Sequence, residues 1–121
     1  MSQVPLRRWM ATMFVALVTP LVADGGDWPQ WRYDAQRSAA SREELPAQLS
    51  SQWVRQLPRL KPAWPDQPKM QFDAAYEPIV SGQRLFVGSS LDASVTAYDT
   101  QTGSEAWRFF ADGPVRFAPL A

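Results

Sequence analysis

The chain has 121 residues, 45% of them hydrophobic and 20% charged, which is typical of a globular protein and enough for one domain at most. Lys and Arg together number 12, as do Asp and Glu, so the chain lacks the basic excess by which proteins bind nucleic acid or anionic membrane surfaces. Because there is no Cys and no His, the sequence excludes disulfides, thiolate and imidazole metal sites, His-based catalysis and a lipid anchor on an N-terminal Cys.

Residues 1–23 have the layout of a signal peptide. Arg7 and Arg8 precede an apolar run, which ends near Ala23, a small residue just ahead of Asp24. The run is shorter than the roughly 20 apolar residues that span a bilayer, so we expect cleavage near Ala23 and no stable membrane span. The arginine pair leaves the general secretory and the twin-arginine export routes both open. We therefore expect an exported protein, periplasmic or extracellular.

Residues 24–74 are predicted to be an irregular segment rich in Pro and Trp. Its one regular element is a strand near Ser51–Leu57, where side chains alternate in the manner of a strand. Trp64 lies among prolines that fix the backbone, which predicts a stiff surface loop (Pro62, Pro65, Pro68). Trp28, Trp31 and Trp64 are candidates for an aromatic shelf that binds peptide or sugar or, as we favour, for covering a sheet edge or the floor of the fold.

From Tyr76 onward, short apolar runs alternate with turn residues, which predicts an all-β fold. Four strands are indicated, at Glu77–Ser81, Arg84–Ser89, Ser94–Asp99 and Glu105–Phe110. Their connections are short enough for hairpins, so we expect an antiparallel four-stranded meander. Such a meander has the architecture of one blade of a β-propeller.

The connection between the third and fourth strands carries the most specific motif. Asp99 is suited to accept hydrogen bonds from amides of the turn, and Thr102 adds a hydroxyl to the same turn. Gly103 supplies the positive φ that a tight hairpin requires. Trp107 offers a flat face and one N–H, which suits docking between neighbouring sheets with the N–H bonded to a backbone carbonyl.

A short internal repeat predicts more than one such unit. Residues 75–80 are echoed 41 residues later by residues 116–121, each with an aromatic residue two positions before a Pro and apolar residues after it. Propeller blades recur at roughly this spacing. We therefore expect residues 75–121 to comprise a first blade and the start of a second, so that the propeller is incomplete in this chain.

The pattern Ala97-x-Asp99-x-x-Thr102-Gly103-x-x-x-Trp107 resembles the tryptophan-docking repeat of the quinoprotein-type β-propellers, the pyrroloquinoline quinone (PQQ)-binding-like family. The opening residues 27–32 resemble the start of large secreted members from planctomycete-type bacteria. The resemblance implies that the repeat Trp locks neighbouring blades together. It also implies PQQ and calcium as cofactors of the dehydrogenase members, which hold them with Glu, Asn and Asp. Since the chain has no Asn, no cofactor ligand can be matched residue by residue.

Two functional hypotheses follow from these features. The first is an exported, non-catalytic propeller that works as a scaffold or as a binding module for protein partners, since the recognisable motif residues are all folding residues. The alternative is the N-terminal part of a quinone- and calcium-dependent dehydrogenase whose active site lies in sequence beyond Ala121. In either case we expect no catalytic and no metal-ligating residue within this chain, and the motif residues Asp99, Thr102, Gly103 and Trp107 to be structural.

Overall fold

A computed structural model describes residues 26–70 and 72–121 of the chain. The predicted signal peptide at residues 1–23 therefore lies outside the described residues. Within the described ranges, no helix has the length and apolar character that crossing a membrane requires.

The described part of the chain folds around one antiparallel sheet. Its strands are β1 (Ile79–Ser81), β2 (Arg84–Ser89), β3 (Ser94–Asp99) and β4 (Glu105–Phe110). They pair in the order β1-β2-β3-β4, so each strand neighbours the next one along the chain. The prediction of an all-β, four-stranded antiparallel meander is confirmed.

The first strand is two residues shorter than the sequence predicted. It begins at Ile79 and not at Glu77. Pro78 has no N–H to donate to a ladder, and the Glu77 carboxylate instead accepts a hydrogen bond from the Ala118 N–H at 3.2 Å. The bounds of the other three strands are those predicted.

The two edges of the sheet differ in whether another segment of the chain pairs with them. The outer edge of β1 is bridged by Trp28, whose N–H and C=O both bond to Val80, at 2.8 and 2.9 Å. Asp27 adds a hydrogen bond from the Gly82 N–H at 2.6 Å, and Pro29 ends the pairing because it has no N–H. β4 is the last strand in the sheet order and all six of its residues are exposed, so β4 forms an open edge of the described sheet.

Strand register divides the sheet into two faces. The aromatic face carries Phe86, Ala97 and Trp107 in one row across β2, β3 and β4, with Phe109 in the next row. The groove face carries Thr96 and Tyr98 of β3 and Arg108 of β4. A β-bulge at Ala97/Tyr98 places Glu105 opposite Tyr98, so Glu105 and Arg108 share the groove face. The buried hydrophobic side chains come from both faces (Ile79, Val87, Ala97, Tyr98).

The segment Ser51–Leu57, where the sequence predicts a strand, has an irregular backbone in the described part of the chain. Residues 51–60 make no strand pairing with any described residue. The segment runs over the groove face of the sheet and not along an edge, because residues 54–58 line one groove with Val87, Thr96 and Tyr98. In that position the backbone has no neighbouring strand to bond to among the described residues, and the strand stays a prediction.

The segment that follows β4 also lacks a strand. Residues 111–121 turn back towards the start of the sheet, where the Ala121 N–H bonds to the Pro29 carbonyl at 3.1 Å. Gly88 permits this path, because a Cβ there would lie 2.7 Å from the Val115 side chain. The start of a second blade in this segment stays a prediction.

Candidate functional site

The β3–β4 turn is built around the Asp99 carboxylate. Its Oδ1 accepts hydrogen bonds from the Gln101 N–H, the Thr102 N–H and the Thr102 hydroxyl, at 3.0, 3.0 and 3.1 Å. Its Oδ2 is 2.9 Å from Nη1 of Arg84, which lies directly opposite on β2. These bonds, led by that from the Thr102 N–H, hold the pKa of the Asp99 carboxyl below its ordinary value. In this geometry the Asp99 carboxylate and the Thr102 hydroxyl both bond within the turn.

Gly103 meets two requirements at once. Its φ is +67°, which L-residues other than Gly rarely adopt, and its N–H closes the turn by bonding to the Asp99 carbonyl at 2.8 Å. Its open α-carbon also lies against the indole of Trp53, since a Cβ there would be 2.6 Å from Cδ2 of that ring. The turn therefore forms a seat for a tryptophan that is distant in sequence.

Trp53 is fixed in this seat by a hydrogen bond. Its indole Nε1–H donates to the Thr100 carbonyl at 2.8 Å, while the ring covers Gly103. Sequence reasoning placed Trp53 in a strand and missed this contact. The usable signal was the likeness of Trp53-Val54-Arg55 to Trp107-Arg108-Phe109, but no local feature links position 53 to position 100.

Trp107, the fourth motif residue, is not part of this cluster. It lies on the aromatic face with its ring centroid 5.8 Å from that of Phe86, and 46% of it is exposed. The hydrogen bond to a backbone carbonyl that we expected of Trp107 is made by Trp53, and the Trp107 indole donates to no described residue. Asp99, Thr102 and Gly103 thus meet in one turn, whereas Trp107 faces outward.

The groove face of the sheet carries a cleft of about 500 Å³ beneath residues 54–58, with both apolar and charged lining residues. The Arg55 guanidinium lies 5.0 Å from the ring centroid of Tyr98. Arg108 forms ion pairs with Asp92 at 3.2 Å and Glu105 at 2.9 Å. The cleft is therefore lined by charges that neutralise one another, as in a packed interface between chain segments.

In residues 26–70 and 72–121, no three or more Asp or Glu side chains lie close enough together to hold a metal ion. Several of the acidic residues instead accept hydrogen bonds from turn amides, hydroxyls or Arg side chains, as Asp99 does from Thr102 and Arg84.

The depressed pKa of Asp99 predicts how stability changes with acid. A carboxyl whose folded-state pKa lies below its unfolded value of about 3.9 stabilises the fold above that pH, and the stabilisation is lost as the pH falls through the lower folded-state pKa. We expect urea midpoints to fall between about pH 5 and pH 2, and the fall to be smaller in Asp99→Asn. Asp112→Asn is the control, since the Asp112 carboxylate accepts no hydrogen bond from a described residue. An equal fall in Asp99→Asn and in the unchanged chain would contradict the role of Asp99 in the turn.

Comparisons with known proteins add no assignment to this geometry. No protein-family model matches the chain, and neither a curated protein nor a solved structure matches it significantly.

Proposed function

We propose that the chain is part of an exported, quinoprotein-type β-propeller repeat protein and that it serves as a non-catalytic scaffold or binding module. One observation carries the proposal, the docking of Trp53 on the β3–β4 turn. In the resembled repeat, a Trp of one unit locks onto the neighbouring unit. The contacts of Trp53 support this reading, because its indole N–H donates to the Thr100 carbonyl and its ring lies over Gly103.

Two features of the sheet support a head-to-tail contact between repeat units. The turn from Asp99 to Gly103 accepts a tryptophan that arrives from outside the meander. Trp107, in a sequence context like that of Trp53, presents its indole on the opposite, aromatic face. A unit with an acceptor on one side and a donor on the other can repeat around an axis, since a heterologous interface closes into a ring when its rotation allows. A β-propeller is an arrangement of this type.

The side chains of the motif support a structural role. The Asp99 carboxylate accepts hydrogen bonds from the turn amides and from Arg84. The Trp53 ring occupies the space beside the α-carbon of Gly103. These groups therefore stabilise the turn and the tryptophan that is docked on it. The signal-peptide layout of residues 1–23 supports export of the protein.

Reading the gene beyond the codon for Ala121 tests the proposal. We expect further Asp-x-x-Thr-Gly-x-x-x-Trp motifs at intervals of about 40 residues, each preceded by two short strands. A continuation without such motifs would overturn the propeller assignment. Asn, Glu and Asp residues on the innermost strands of later blades, facing the central channel, would overturn the non-catalytic part alone.

A further inference from the structure

A second cavity lies away from the β3–β4 turn, beside the proline-rich loop. We name it the Trp64 cleft, and it has a volume of about 490 Å³, within the range of small-molecule sites. Three aromatic side chains and three charged side chains line it (Trp64, Phe72, Phe117, Asp73, Glu77, Arg116). An apolar wall with a few convergent polar groups is the general composition of a ligand site.

The aromatic wall of the cleft is held in place by its own loop. The rings of Trp64 and Phe72 meet nearly at a right angle, 80°, with centroids 5.7 Å apart. The Ala63 N–H bonds to the Phe72 carbonyl at 3.3 Å, and the Gln67 N–H bonds to the Trp64 carbonyl at 3.1 Å. Because these bonds and the neighbouring prolines fix the backbone, little freedom is lost when a ligand enters.

The polar side of the cleft is also preorganised. Asp73 has a side chain only 4% exposed, and its Oδ2 lies 2.8 Å from Nη1 of Arg116. The Arg116 guanidinium carbon lies 5.7 Å from the Trp64 ring centroid. Glu77 accepts the Ala118 N–H with Oε2 and leaves Oε1 without a donor among the described residues.

This combination selects the chemical class of the ligand. Asp73 neutralises Arg116, and Glu77 leaves the cleft with one net negative charge, so the cleft disfavours an anion. Arg116 already lies over the indole of Trp64, which disfavours a second cation there. The remaining surface offers a π face, which attracts weakly positive C–H groups, together with carboxylate acceptors and guanidinium donors. A sugar ring presents both C–H faces and hydroxyl groups.

We propose that the Trp64 cleft binds a neutral carbohydrate ring. Trp64 is the stacking platform and Phe72 the side wall. Glu77 Oε1 accepts a sugar hydroxyl, and Arg116 donates to a sugar oxygen. This site is independent of the propeller assignment, because it depends only on the loop residues Trp64, Phe72 and Asp73 and on their contacts with Glu77 and Arg116.

Calorimetric titration of the full chain with cellotriose and, separately, with maltotriose tests the proposal. We expect saturable binding of at least one of the two below about 10 mM, and at least a tenfold rise in Kd for Trp64→Ala. Trp31→Ala is a matched control, because Trp31 is 44% exposed, Trp64 is 45% exposed, and both rings lie near Arg side chains. Its Kd should equal that of the unchanged chain.

Glu77→Gln separates stacking from hydroxyl recognition. It keeps the shape of the side chain but exchanges a charged acceptor for a neutral one, so we expect a several-fold weaker Kd with unchanged near-UV circular dichroism. No saturation with either sugar, or equal weakening in Trp64→Ala and Trp31→Ala, would overturn the proposal. Either result leaves the propeller assignment unaffected, since that assignment is tested by the repeats beyond Ala121.

Discussion

Replacing Gly103 with alanine is expected to lower the free energy of unfolding by about 2–4 kcal/mol. Two effects add. The φ of +67° strains any residue with a Cβ, and the new methyl group would lie 2.6 Å from Cδ2 of Trp53. The indole cannot simply move away, because its N–H is bonded to the Thr100 carbonyl. Urea unfolding followed by tryptophan fluorescence measures the loss.

Gly82→Ala is the matched control for this prediction. Gly82 also has a positive φ, +54°, but a Cβ there would meet nothing within 4 Å. We therefore expect Gly82→Ala to show the backbone cost alone, about 1 kcal/mol. In a Trp53→Ala background, the cost of Gly103→Ala should fall towards that of Gly82→Ala. Equal losses for the two glycine variants in the unchanged chain would contradict the docking of Trp53 on the turn.

The strands could be predicted because their signals are local. β2, β3 and β4 have the predicted bounds, since each is an apolar run closed by turn residues such as Gly103. β1 was predicted too long because the apolar run was extended back to Glu77, although Pro78 has no N–H to donate to the ladder. Ser51–Leu57 also alternates, but a strand needs a backbone partner, and this segment lies over a sheet face. Alternation describes side-chain placement and does not specify pairing.

For the site residues too, contacts between residues close in sequence could be predicted and contacts between distant residues could not. Asp99, Thr102 and Gly103 lie within five residues of one another, so the chemistry of the turn was visible in sequence. The seat for Trp53 and the ion pair between Asp73 and Arg116 join residues 47 and 43 positions apart. No local pattern relates such positions, because the path of the intervening chain decides whether they meet.

Replacing Ile79 with alanine is the other substitution from which we expect a large effect, a loss of about 2–5 kcal/mol. Ile79 is completely buried and is the largest fully buried apolar side chain among the described residues. It lies in β1 opposite Phe86, so its removal leaves a cavity beneath the aromatic face. Because the buried core of the described chain is small, its stability belongs at the lower end of the range for domains, about 5 kcal/mol. Ile79→Ala should therefore populate the unfolded state measurably even without urea.

Two further variants isolate the burial of Ile79 as the cause. Leu45→Ala deletes the same number of carbon atoms from a side chain that is exposed, so we expect a change within about 0.5 kcal/mol. Ile79→Val removes a single methyl group and should cost about 0.5–1.5 kcal/mol. If the three variants had equal urea midpoints, Ile79 would not be a core residue, and the sheet would be held together mainly by its backbone ladder and by the bridge from Trp28 to Val80.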